Sequence, residues 1–229
     1  MKKILTIATF LIAGSINFSY AEVGINAGFT LSSKLFEVDG ASEKFTAGTT
    51  NVNSGTATPK QEDAEALIAY ASLFLEKELG DKFAIGVDYV PYALESETKE
   101  NIRYSTIGKS ASTNNVQVDF EDLLSLYAKV NLNENFYAKA GYSQVEAVTN
   151  ESLGTGSSYG DVTLDGYTLG LGYNKDLSND TFIRIEASYM EIDGATLNST
   201  VNSAANGTRS VTADGITGYG ASLSIGKSF

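Results

Sequence analysis

The sequence predicts an all-β chain that closes into an eight-stranded antiparallel up-and-down barrel and crosses a membrane with its strands. Three observations lead there. Segments of strict apolar/polar alternation recur along the chain. The connections between them alternate between very short and long. After the N-terminal run, no stretch reaches the roughly 18 apolar residues of a spanning helix.

The first residues stand apart. Lys2 and Lys3 precede an apolar run, Ile4 to Ala13, and Ser19-Tyr20-Ala21 carries small residues at both ends. A charged start, a short apolar core and a small-x-small site read as a secretory leader. Cleavage is expected between Ala21 and Glu22, so 1–21 is leader and 22–229 a single barrel domain.

Val23 to Ser32 alternates over ten residues, with Val23, Ile25, Ala27, Phe29 and Leu31 on one face and Gly24, Asn26, Gly28, Thr30 and Ser32 on the other. Such alternation describes a strand between two environments. The pattern returns in 83–89, 136–143, 166–174, 182–189 and 218–229. Segments 66–79 and 120–132 are rich in helix formers. Each leads through a very short turn into a clear strand, as in a hairpin, and both are assigned as strands. That makes eight. Short turns lie at 80–82, 133–135 and 175–180. Long polar segments at 33–65, 95–115, 149–161 and 194–209 are expected to be mobile loops at the opposite end.

Alternation alone does not say which face is outside. The polar face is crowded with Gly, Ser, Thr and Ala, which suits the narrow interior of an eight-stranded barrel better than a soluble surface. The aromatics lie near the ends of the apolar stripe. Phe83 and Tyr89 share a face, as do Phe136 and Tyr142, each pair spanning roughly 20 Å at about 3.3 Å per residue. With Tyr167, Tyr173, Tyr189 and Tyr219 they are expected to form girdles around an apolar band about 25 Å tall. A soluble ligand-binding barrel, the competing fold, would need an apolar cavity instead.

The inward positions carry Glu76, Asp88, Glu121, Lys129, Lys139, Arg184 and Glu186. Charges at membrane depth are costly unless paired. Their mixed signs predict a salt-bridged plug that fills the bore.

Composition removes several functions. The formal charge is −12, and losing Lys2 and Lys3 with the leader takes Lys+Arg from 16 to 14 against 28 Asp+Glu, or −14. Such a chain repels nucleic-acid phosphates. It has no cysteine for disulfides, thiolate metal sites or a lipid anchor, and no histidine for general-base chemistry. No cofactor is indicated. Ala221 to Ser228 matches a loose phosphate-loop pattern, but only Phe229 follows, so no helix can present N–H groups to an anion. Glu62-Asp63 and Glu121-Asp122 lie in or beside loops and read as solvated charge.

In these features the chain resembles the small eight-stranded bacterial outer-membrane barrels, such as the transmembrane part of outer membrane protein A and its short relatives. The resemblance covers the mature chain as a pattern. Its most specific residue is the terminal Phe229, with Leu223 and Ile225 at alternate positions before it. The resemblance implies that these residues are read by the barrel-assembly machinery. It also implies short periplasmic turns, long external loops, and a setting of lipid bilayer and lipopolysaccharide. Enzymatic barrels of comparable type use histidine, which this chain lacks. The expected role is therefore a structural or surface-display scaffold without catalysis. The alternatives are a narrow gated ion channel and an adhesin or receptor meeting an external ligand or phage through its loops. The chain is expected to end at its last strand, without a periplasmic domain.

Overall fold

The structure, a computed structural model, describes residues 24–46, 62–96, 99–104, 111–153, 158–200 and 208–229. The expected leader and its cleavage site at Ala21 and Glu22 lie outside them. The strands are β1 (Ile25–Thr46), β2 (Glu62–Leu79), β3 (Phe83–Tyr89), β4 (Leu94–Glu95), β5 (Lys99–Tyr104), β6 (Ala111–Asn131), β7 (Phe136–Leu153), β8 (Val162–Asp176), β9 (Thr181–Asn198) and β10 (Thr208–Ser228). β3, β4 and β5 all pair with β6 and form one interrupted stave, so the cylinder has eight staves. Every stave runs antiparallel to its sequence neighbours, and β1 closes the ring against β10. The closing pair extends to the last residue, because Phe229 N donates to Ile25 O at 2.8 Å. Closure gives the backbone partners on both sides, which lipid demands of any spanning structure.

The helix-rich compositions of 66–79 and 120–132 end as strands in β2 and β6. Ladder bonds to neighbouring staves outweigh a propensity of a few tenths of a kcal/mol per residue. The three short turns are tight. Gly80 sits at φ 73°, while Asn179 and Asp180 adopt φ 63° and 59°. Asn133 Oδ1 accepts from the N–H groups of Asn135 and Phe136, at 2.9 Å each, in the β6–β7 turn.

Strand pairing runs well into segments expected to be loops. β1 continues to Thr46, β7 to Leu153 and β9 to Asn198, while β6 begins at Ala111 and β10 at Thr208. A spanning strand needs about 9–11 residues, and β1 has 22. The barrel therefore stands well above the bilayer. Once the outer face meets water instead of lipid, polar residues occupy it without breaking the ladder, so composition there mimics a loop.

Among the described residues, the wall opens where the β8–β9 ladder stops at Gly166–Ile192, and more widely beside β2. Beyond the Leu73–Tyr89 pair the third stave leaves β2. Val90 N donates to Leu123 O of β6, Pro91 has no N–H to give, and β4 and β5 pair with β6 alone. Among the described residues, no ladder joins residues 62–72 of β2 to β4 or β5. The Tyr92 hydroxyl closes part of the opening by accepting from Ala71 N.

Outward positions carry exposed apolar side chains, including Leu171 at 65% and Ile225 at 56%. Inward positions pair large groups with small ones. A Cβ on Gly172 would lie 2.2 Å from the Tyr137 ring, and one on Gly86 would lie 2.5 Å from the Tyr127 ring. The glycines of the inward stripe thus make room for two tyrosines that cross the bore.

Candidate functional site

The bore is built in two storeys. The lower storey centres on Glu76 of β2, whose side chain is fully buried. Arg184 of β9 meets it side-on, with Nη1 to Oε2 and Nη2 to Oε1 both at 2.9 Å. Lys129 Nζ of β6 reaches Oε1 at 2.5 Å, and the Tyr127 hydroxyl donates to Oε2 at 3.2 Å. Asn26 Nδ2 adds a bond of 3.2 Å. The guanidinium also lies 4.4 Å from the Phe182 ring centroid, while its Nε donates to Asn174 Oδ1 at 2.9 Å. The fork of arginine suits a bidentate carboxylate and leaves a face for aromatic contact.

A second cluster stands beside it. Lys139 Nζ of β7 is 2.5 Å from Glu186 Oε1, and the Tyr137 hydroxyl donates to Oε2 at 2.9 Å. The two clusters interlock through their rings. Lys139 lies over Tyr127 at 5.1 Å, and Lys129 over Tyr137 at 5.6 Å, so each lysine sits on the tyrosine of the other cluster. Asp88 faces the same space, bonded to Ser72. Together these side chains line a cavity of about 20 Å³, room for about one water molecule.

The structure departs from expectation at two charged positions. Glu121 is exposed and takes no part in the clusters. A bulge between Glu121 and Leu124, with Asp122 at φ 53°, changes the parity of β6, so that Glu121 lies opposite Glu146 on the outer face. An extra residue in a strand turns everything beyond it to the other side. Conversely, Lys34 is buried inside and donates to Ser188 Oγ at 2.7 Å. It lies in the 33–65 segment expected to be a loop. Its even number, continuing Asn26 to Ser32, was the available signal.

The upper storey is apolar. Tyr70, Val90, Leu94, Leu123, Val145 and Met190 belong to one buried cluster in the taller part of the barrel. Tyr70 and Leu123 lie within the expected strands 66–79 and 120–132, while Val90, Val145 and Met190 lie just past expected strands, and the alternation of single segments did not reveal that they pack together. Above the membrane the barrel behaves as a soluble β-protein, packing apolar side chains inward.

The aromatic positions form two levels on the outer face. Phe136 and Tyr173 pair in register with centroids 5.2 Å apart, and Phe83 lies at the same turn end of its hairpin. At the other level Tyr142 faces Tyr167, and Tyr189 faces Tyr219 with centroids 5.3 Å apart. Tyr89, opposite Leu73, donates to Asp122 at 2.7 Å. Just beyond this level the hydroxyls of Tyr142 and Tyr167 donate to Asp165 and Glu191, holding both carboxyls below their ordinary pKa. Leu223, Ile225 and Phe229 all point outward and are exposed.

No protein-family model matches the sequence, and no curated protein does. Among solved structures, the outer membrane protein OprG from Pseudomonas aeruginosa is similar at 12% identity and a TM-score of 0.43, covering 86% of this chain and 95% of that one. The outer membrane protease OmpT from Escherichia coli is similar at 11% identity and a TM-score of 0.44, covering 94% and 100%. The attachment invasion locus protein Ail of Yersinia pestis, in complex with a heparin analogue, is similar at 11% identity and a TM-score of 0.30, covering 86% and 98%. The class of the molecule follows from its own two faces. A cylinder that turns leucine outward and arginine inward has lipid for its solvent, and this chain has the fold of an eight-stranded transmembrane β-barrel.

Proposed function

We propose that the chain is a sealed, non-catalytic outer-membrane scaffold that holds its tall strand extensions above the bilayer. One observation carries this reading: the interlocked ion clusters leave a cavity of only about 20 Å³ in the bore. The apolar cluster above forms a second stopper. The absence of histidine from the sequence supports the non-catalytic part. Recording in planar bilayers tests the seal. The unmodified barrel is expected to show no steady openings. Lys139→Glu, which breaks the Glu186 pair, is expected to stay silent because the apolar stopper remains. Steady openings of the unmodified protein would replace this reading with the narrow gated channel.

A second reading, an adhesin or phage receptor, is favoured by the length of the strands. β6 and β10 have 21 residues each, about twice what a crossing needs. Deleting 47–61 should abolish surface binding of cells or phage while the heat-dependent shift of the folded barrel on a denaturing gel survives. For biogenesis, the outward row of Leu223, Ile225 and Phe229 supports a role as the signal read by the assembly machinery.

A further inference from the structure

The outer face of the barrel is electrically sided. At the turn end, where Phe83, Phe136 and Tyr173 mark the inner interface, Lys77 of β2, Lys175 of β8 and Lys227 of β10 occupy outward positions. Their ring order is β2-β1-β10-β9-β8, so the lysines stand on every second stave. At 4.7–4.9 Å between neighbouring strands, successive lysines are roughly 10 Å apart. The intervening staves present Ile25 and Ile183, which pair with Lys77 and Lys175. Lys227 Nζ lies 6.0 Å from the Phe229 ring centroid. On the opposite arc of the same end the strands expose Phe83, Leu132 and Phe136, and Lys82 stands exposed in the turn before Phe83.

The other rim has the reverse sign. Beyond the upper tyrosines the outward residues include the carboxylates Glu65, Glu121 and Asp165, all exposed, while Lys44 of β1 is also exposed at that end. Glu37 faces Glu65 across one strand pair, and Glu121 faces Glu146 across another. Lys34, Lys129, Lys139 and Arg184 all point into the bore. Among the described side chains, the cations on the membrane-level outer face are therefore gathered at the turn end.

We propose that the arc of Lys77, Lys175 and Lys227 is a docking surface for anionic phospholipid headgroups of the inner leaflet. A lysine in this place sends its ammonium to the headgroup level while its methylene stem covers apolar wall. Two staves of separation leave an acyl-facing strip of isoleucine between ammoniums, so one diacyl lipid fits between each pair with its phosphate bridging them. A zwitterionic headgroup brings its own ammonium to the site and forfeits that attraction. A lysine close to an anionic surface favours it by about fivefold. The proposal does not depend on whether the bore conducts.

Spin-labelled phosphatidylglycerol and phosphatidylcholine in vesicles of the reconstituted full-length barrel give the relative association of each lipid with the protein. Phosphatidylglycerol should be enriched about fivefold at the boundary. K77Q/K175Q/K227Q should bring the ratio to unity, while the arginine counterpart K77R/K175R/K227R keeps it. Enrichment should also fall toward unity as salt is raised to about 1 M. Equal association of the two lipids with the unmodified barrel would overturn the proposal. So would enrichment that persists in the glutamine variant. Should that variant fail to fold on the gel-shift criterion, the salt series on the unmodified protein decides alone, and a ratio insensitive to salt rejects the lysine arc.

Discussion

Arg184 and Glu76, 108 residues apart in sequence, meet through two hydrogen bonds of 2.9 Å each inside the barrel. The contact joins β9 to β2 across the bore, since the ring order places β1 and β10 between them. Glu76 also takes Lys129, so one buried carboxylate holds two buried cations.

Neutralising Glu76 therefore leaves two like charges facing each other. Glu76→Gln is expected to destabilise the folded barrel by about 3–5 kcal/mol, the usual cost of breaking a buried pair from one side. Urea unfolding in detergent micelles, followed by tyrosine fluorescence, measures it. The double variant Glu76→Gln with Lys129→Met should recover part of the loss, because it removes one stranded cation.

Leu169 and Asp165 share the outer face of β8 at different depths. Leu169 lies within the apolar band and pairs with Ala140 and Tyr189, while Asp165 lies beyond the tyrosine level. Leu169→Arg should cost about 2–4 kcal/mol and Asp165→Arg about 0–1, the known dependence on bilayer depth. The yield of heat-modifiable barrel after refolding into vesicles reports the difference. Equal yields would mean that the apolar face is not the lipid face.

The break between β2 and the third stave should appear in hydrogen exchange. Amides of β2 above Leu73 that face the opening lack ladder partners, and Ala71 N relies on the Tyr92 hydroxyl. Their exchange is expected to be much faster than that of β1 amides at the same height, because protection follows local hydrogen bonding. Tyr92→Phe should accelerate exchange at Ala71 specifically. Mass spectrometry with peptide resolution over 62–79 is sufficient.

The Tyr142–Asp165 contact predicts a local pH effect. The tyrosine hydroxyl is the main cause of the lowered carboxyl pKa, with Gln144 second. A carboxyl depressed in the folded state contributes stability above its unfolded pKa of about 3.9, and that contribution is lost as pH falls through the folded value. Carbon-detected NMR should find Asp165 titrating below the ordinary range, and Tyr142→Phe should move it up. No movement would assign the shift to another neighbour.

The alternation of 23–32, 83–89, 136–143, 166–174, 182–189 and 218–229 was enough to infer six strands and the sense of their faces, and the short turns after 66–79 and 120–132 brought the number to eight in up-and-down order. It sufficed because lipid outside and a narrow bore inside impose opposite demands on successive residues, and that contrast has a period of two. From parity alone, Glu76, Lys129, Lys139, Arg184 and Glu186 were placed on one face. What parity could not say is who meets whom. Arg184 chooses Glu76 across the bore, although Glu186 is its neighbour on the strand, because side-chain reach and barrel radius set the partners. Nor could it locate the bulge at 121–124, where one added residue sends Glu121 outside. The height of the barrel was equally hidden. Lys34 and Phe36 sit in a wall that water bathes on the outside, so the outward residues beside them are polar and the chain reads as loop. Their burial arises only when eight staves close and continue past the membrane, a property of the assembled ring and of no single segment.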